Sequence, residues 1–141
     1  MHYAFAGNLG VEGLKVLAGA EKSDGATTAL QDRKGTNYGI AYNFGQVSIG
    51  ASQVKNELST GVEVKSKEAG ATFAASDNLT LGIAYATSEI SNLANDEDII
   101  MATAGYNLGA ISTSVTYSQV ENTAGGSTDD DFFNVRIGTK F

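Results

Sequence analysis

An all-β, up-and-down antiparallel fold is what this sequence predicts, and three observations carry it. Large apolar residues alternate with small or polar ones along nearly the whole chain, and no stretch sustains a helical period. Short turns built on Asn, Asp and Gly alternate with longer polar links. The 141 residues are enough for one domain and too few for two comfortable ones.

About nine strands follow in order. The first, near 2–8, carries Phe5 and ends at Asn8-Leu9-Gly10. The second, near 13–22, sets Leu14, Val16 and Ala18 against Lys15. The third, near 36–43, carries Tyr38, Ile40 and Tyr42 on one side and Gly39 and Ala41 on the other, and Asn43-Phe44-Gly45 turns the chain. The fourth, near 46–56, opposes Val47, Ile49 and Ala51 to Ser48, Gly50 and Ser52. The fifth, near 66–75, opposes Ala69, Ala71 and Phe73 to Gly70 and Thr72, and Asp77-Asn78 follows. In the sixth, near 79–89, Leu79, Leu81, Ile83 and Tyr85 alternate with Thr80, Gly82, Ala84 and Ala86. The seventh, near 99–107, carries Ile100, Ala102, Ala104 and Tyr106 and ends at Asn107-Leu108-Gly109. The eighth, near 110–121, alternates Ile111, Thr113, Val115 and Tyr117 with serines and Thr116. The ninth, near 132–141, alternates Phe133, Val135, Ile137, Thr139 and Phe141 with Asn134, Arg136, Gly138 and Lys140. Long polar links are expected at 23–35, 57–65, 90–98 and 122–131, so the repeating unit is a hairpin with a short turn at one end and a long loop at the other.

Composition removes most chemistry. Without cysteine there is no disulfide, zinc-thiolate site, iron-sulfur cluster or thiol nucleophile. With His2 as the single histidine, neither a Ser-His-Asp triad nor a multi-histidine metal cage can be built. Neither an enzyme nor a resident cofactor or metal is expected. Nine basic against sixteen acidic residues give a net charge of -7, which argues against nucleic acid as a partner. Asp96-Glu97-Asp98 and Asp129-Asp130-Asp131 offer hard oxygen ligands but lack the spaced pattern of a calcium loop, so they read as solvated loops. The sequon Asn78-Leu79-Thr80 sits in a tight turn and is discounted. Apolar runs such as 99–102 fall far short of the roughly 20 residues of a membrane-spanning helix, and the first residues do not read as a signal peptide.

A sheet with one wholly apolar face needs an apolar partner for every strand: a second sheet in a soluble sandwich, or lipid in a membrane barrel. Aromatic placement separates the two. Phe5, Tyr42, Phe44, Phe73, Tyr106 and Phe141 lie close to the short turns, while Tyr38, Tyr85, Tyr117 and Phe133 lie further up the same faces. Two aromatic levels flanking an aliphatic middle are what the two interfaces of a bilayer select. Strands of about ten residues, rising about 3.3 Å each and tilted by about 40°, span roughly 25 Å, the height of an outer-membrane apolar band. Most acidic residues fall in or beside the long links, whereas the short-turn side has Glu12 and Asp77. Long charged loops outside and terse turns inside are the asymmetry of a bacterial outer-membrane barrel. The expectation is therefore an all-β transmembrane antiparallel up-and-down β-barrel in the bacterial outer membrane.

The runs Asn37-Tyr38-Gly39-Ile40-Ala41-Tyr42-Asn43-Phe44-Gly45 and Gly105-Tyr106-Asn107-Leu108-Gly109-Ala110, and the terminal stretch from Asp130 to Phe141, resemble the C-terminal half of Gram-negative general porins of the alphaproteobacterial type. The resemblance implies a water-filled diffusion channel, a sixteen-stranded barrel of which this chain holds 8–9 strands, and a homo-oligomer, commonly a trimer. It also implies that Phe141, as terminal aromatic, belongs to the signal read by the barrel-assembly machinery. Residues 1–141 then form either a single β-barrel domain or half of a larger one. Parity bears on the choice, because nine antiparallel strands leave the first and last running the same way, and an odd count cannot close antiparallel. Missing strands, a parallel closing contact, or a first segment outside an eight-stranded barrel would each resolve it.

On the small-residue face, Lys15, Glu21, Glu68, Arg136 and Lys140 are the candidate pore-lining charges, with Arg136 the best match to the family's basic wall residues. The other reading leaves Arg136 and Lys140 solvated or paired with neighbouring carboxylates. The acidic loops favour cations at the mouth. The expected partners are the outer-membrane lipid bilayer and permeating ions and small hydrophilic solutes. The rivals are a small non-channel outer-membrane barrel, structural or adhesin-like, with a filled interior; a barrel enzyme; and a soluble sandwich or propeller. An eight-stranded barrel is filled by its side chains, and a wall of Gly, Ala, Ser and Thr would leave it underfilled.

Overall fold

The computed structural model describes residues 2–23, 33–58 and 60–139. They form β1 (His2–Gly7), β2 (Leu14–Ser23), β3 (Arg33–Phe44), β4 (Val47–Leu58), β5 (Glu63–Ala74), β6 (Leu79–Ile90), β7 (Glu97–Leu108), β8 (Ile111–Glu121) and β9 (Asp130–Thr139), with a 3-10 turn at Thr123–Gly125. All neighbours pair antiparallel in one 9-stranded sheet whose spatial order is the chain order. This is the up-and-down β-barrel architecture expected from the alternation.

Strands run further toward the long links than the apolar pattern reaches. β4 extends to Leu58, β5 begins at Glu63, β7 at Glu97 and β9 at Asp130, so those links shrink to 59–62, 91–96 and 122–129. Backbone pairing is indifferent to side-chain polarity, and Lys55↔Lys65 and Lys65↔Glu89 continue the ladders above the apolar zone. The expected link 23–35 falls largely outside the described residues. At the short-turn end, Gly45 and Gly109 each take the first place of a two-residue hairpin turn with φ of 63 and 59, a left-handed conformation that glycine adopts at no steric cost.

The register places all the large apolar residues of the alternation on one face, from Tyr38 and Ile40 in β3 to Val135 and Ile137 in β9. They are bare: Ile137 is 73% exposed, Phe133 71% and Ile83 68%. The opposite face is sheltered, since Gly82 is buried between exposed Leu81 and Ile83, and a Cβ there would lie 2.8 Å from Thr103 Cγ2. The sheet is thus convex on its apolar side and concave on its small-residue side. Among the described residues Val120 is the one buried hydrophobic side chain. So large a bare apolar face is stable only against lipid.

One row of register partners runs Tyr42, Ile49, Ala71, Ile83, Ala102, Tyr117, Phe133. It starts at the aromatic level near the short turns and ends at the level near the loops. A row perpendicular to the strands that climbs from one membrane interface to the other means that the strands tilt, on the order of 40° for strands about 4.8 Å apart. Among the described residues β1 and β9 do not pair with each other.

Candidate pore wall

The concave face is assembled from every second residue, and the register decides which charges share it. Lys15 stands opposite Ala41 on β3, Glu21 opposite Gly35, Glu68 opposite Ser52 on β4, and Arg136 opposite Ser114 on β8. All four lie on the face that carries Gly39, Gly50, Gly82 and Gly105. Lys140 and Phe141 lie outside the described residues.

The four are spread along the wall. Lys15 and Glu68 border one hollow of about 450 Å³, floored by Gly39, Gly50, Gly70 and Ala84. The Ser52 hydroxyl donates to Glu68 Oε1 at 2.8 Å and holds that carboxylate against the wall. Arg136 borders a separate hollow of about 620 Å³ with Thr80, Asn107, Ser112 and Ser114. Among the described residues neither Lys15 nor Arg136 has a carboxylate within ion-pair reach.

Glu21 is paired. Arg33 Nη2 donates to its Oε1 at 2.6 Å, and His2 Nδ1 lies 3.5 Å from its Oε2. Room for the carboxylate comes from Gly35, where a Cβ would sit 2.9 Å from Glu21 Cγ. Arg33 was not among the sequence-derived candidates because it lay inside a supposed link. Its place on the wall follows from its register with Ser23, which no local pattern announces. Glu97 and Asp130 were missed for the same reason, and both begin strands on the concave face.

The concave face is not uniformly polar. Leu17, Val54, Met101 and Phe132 interrupt it, each at least partly exposed. On the convex face, polar clasps join neighbouring strands just above the upper aromatic level. Lys55 Nζ meets Glu63 Oε2 at 2.7 Å, and Lys65 and Lys67 meet Glu89 at 3.1 and 2.7 Å. Tyr85 donates its phenol to Asp98 and Tyr117 donates to Asp131. Each phenol thus keeps its ring in the apolar zone and its hydroxyl at the polar boundary, the arrangement that suits tyrosine at a membrane interface.

A family model described as Gram-negative porin matches residues 2–125. The fold is similar to that of Salmonella typhi OmpF in complex with daunomycin, with a TM-score of 0.77 and 18% identity over 99% of this chain and 50% of that one. It is also similar to OmpT, an outer membrane protein of Vibrio cholerae in its trimer form, with a TM-score of 0.61 and 16% identity over 95% of this chain and 52% of that one. No curated protein matches the sequence. The chain spans about half the length of these two porins. The lipid-facing band, the tilted meander and the family match agree on an outer-membrane β-barrel: this chain belongs to the Gram-negative porin family.

Proposed function

We propose that these nine strands are part of the wall of a water-filled channel through which ions and small hydrophilic solutes diffuse across the outer membrane. The observation that carries this reading is the concave face, rich in Gly, Ala, Ser and Thr though interrupted by a few apolar side chains, and hollow beside Lys15, Glu68 and Arg136. A barrel with a filled interior needs large side chains meeting across its centre, and among the described residues Val120 is the one buried apolar side chain. That favours a wide lumen over the non-channel alternative.

A wide lumen takes more strands than nine. Half coverage of each matched porin and the parity of β1 and β9 support a chain that forms half of a larger barrel, the C-terminal half by its resemblance, closed by an odd number of further antiparallel strands. The resemblance adds assembly through Phe141 and a trimer. Lys15, Glu21, Glu68, Arg136 and Lys140 then set the field in the lumen, with a mild preference for cations drawn by the acidic loops.

Planar-bilayer recording tests the reading. Purified, folded protein is expected to give ohmic channels with cation-over-anion preference, and Arg136→Glu to raise that preference. Well-folded barrels that give no channels overturn it.

A further inference from the structure

On the concave face of β2, β3 and β4, polar side chains gather around one glycine. Gly35 has Glu21 and Asn56 as its register partners on either side, and Asn37 is the next concave-face residue of β3. Gly35 is buried, and a Cβ there would lie 2.9 Å from Glu21 Cγ and 3.0 Å from Asn56 Oδ1. Only a glycine leaves room for the two side chains that lean over it. Asn37 leans the same way over Gly19, its register partner on β2, where a Cβ would run into Asn37 Oδ1. Glu21, Asn37 and Asn56 thus rim a cup with a bare-backbone floor, two strand spacings or roughly 10 Å wide. Its hollow of about 280 Å³ is close to the lower end of ordinary small-ligand sites, roughly 300 Å³.

The rim has hydrogen-bonding capacity to spare. Among the described residues neither Asn37 nor Asn56 has a hydrogen-bond partner in the protein, and no unpartnered polar side-chain atom is buried. Each amide brings a donor and an acceptor. Glu21 is held in place, since Arg33 Nη2 donates to its Oε1 at 2.6 Å and His2 Nδ1 lies 3.5 Å from its Oε2. A carboxylate accepts more than two hydrogen bonds, so Glu21 keeps lone pairs for a ligand. Val54, in register with Asn37 and 39% exposed, adds an apolar patch beside the amides.

Charge balance indicates the class of ligand. Glu21 and Arg33 cancel and His2 is neutral at pH 7, so the cup has no net charge to offer an ion in return for its lost hydration. Hydroxyl groups, by contrast, both donate and accept, as two amides and a carboxylate require, and the C–H face of a sugar ring suits Val54. We infer that this cup is a weak binding station for neutral polyhydroxylated solutes, monosaccharides or polyols, at the loop end of the lumen. As a station on a diffusion path it rests on the channel reading above.

Glucose is the test ligand, with glucuronate, the same ring bearing a carboxylate, as its charged counterpart. Saturation-transfer NMR on the folded full chain in detergent is expected to show glucose binding, and weaker binding of glucuronate. Asn37→Ala and Asn56→Ala should each weaken glucose binding roughly fivefold, the factor for one lost neutral hydrogen bond. Together they should abolish it, and either single variant reports if the double variant does not fold. Glu21→Gln leaves the Arg33 charge uncompensated, so glucuronate should then bind better than glucose. In planar bilayers glucose should reduce the ionic current through the wild type and leave that of the double variant unchanged. Conducting protein that binds no glucose overturns the cup and leaves the channel. Glucose binding that survives both alanines overturns its location, and tighter binding of glucuronate by the wild type overturns the assignment to neutral solutes. Folded protein that binds glucose at these residues and gives no channels keeps the cup and overturns the channel reading.

Discussion

Ile83 and Ala84 are consecutive in β6 and lie on opposite faces of the sheet. Ile83 is 68% exposed on the convex face, whereas Ala84 borders the concave hollow with Gly50 and Gly70. A lysine at 83 would be placed in the middle of the apolar band, where it costs roughly 2–4 kcal/mol. Ile83→Lys should lower unfolding free energy by that amount in lipid vesicles. Ala84→Lys should cost far less and move the reversal potential toward anions, because its ammonium meets water. Equal losses at the two positions would contradict the assignment of faces. The same logic explains why small residues crowd the wall: at Gly82 a side chain would run into Thr103, not into lipid.

Hairpins are the unit at the next scale, and their two ends are stabilised differently. At the short-turn end a single conformation matters. Gly45 has φ of 63 and open space around its Cα, so a side chain there meets no clash and pays only for the left-handed backbone. Gly45→Val should cost about 1–2 kcal/mol in equilibrium unfolding, with channel properties unchanged. At the loop end the strands are joined by side chains. Tyr117→Phe removes the 3.0 Å hydrogen bond to Asp131 while keeping the ring in the apolar zone, and should cost about 1 kcal/mol. A much larger loss would mean that the phenol supports more than one interstrand clasp. These clasps also account for strands longer than the apolar pattern suggested, since Lys-Glu and Tyr-Asp pairs continue the ladder where lipid no longer selects apolar residues.

At the scale of the whole molecule, the decisive property is a bare apolar belt with Val120 the one buried apolar side chain among the described residues. Such a chain is expected to fractionate with outer membranes and to stay in the detergent phase on extraction. Release into buffer as folded protein would contradict the lipid-facing assignment. The proposed trimer predicts a mass three times that of one protomer by native mass spectrometry in detergent. The nine-strand meander also constrains closure. A second copy related by rotation about the barrel axis would meet β9 with a β1 running parallel to it, so antiparallel closure takes an odd number of added strands.

Period-two alternation by itself determined the strands, their faces and the two aromatic levels, because in a membrane barrel lipid on one side and water on the other select residues directly, strand by strand. Arg136, Lys15, Glu21 and Glu68 could be placed on the concave face from the same parity. Only the tertiary structure decided what depends on which strands are neighbours and how they slide past one another: the oblique row from Tyr42 to Phe133, the ion pair of Glu21 with Arg33, and the hydrogen bonds that tie Thr123 and Ala124 to Asp130 and Glu97. Those features join residues far apart in sequence through backbone register, and register is set by pairing along the whole ladder. No local pattern in this chain encodes it.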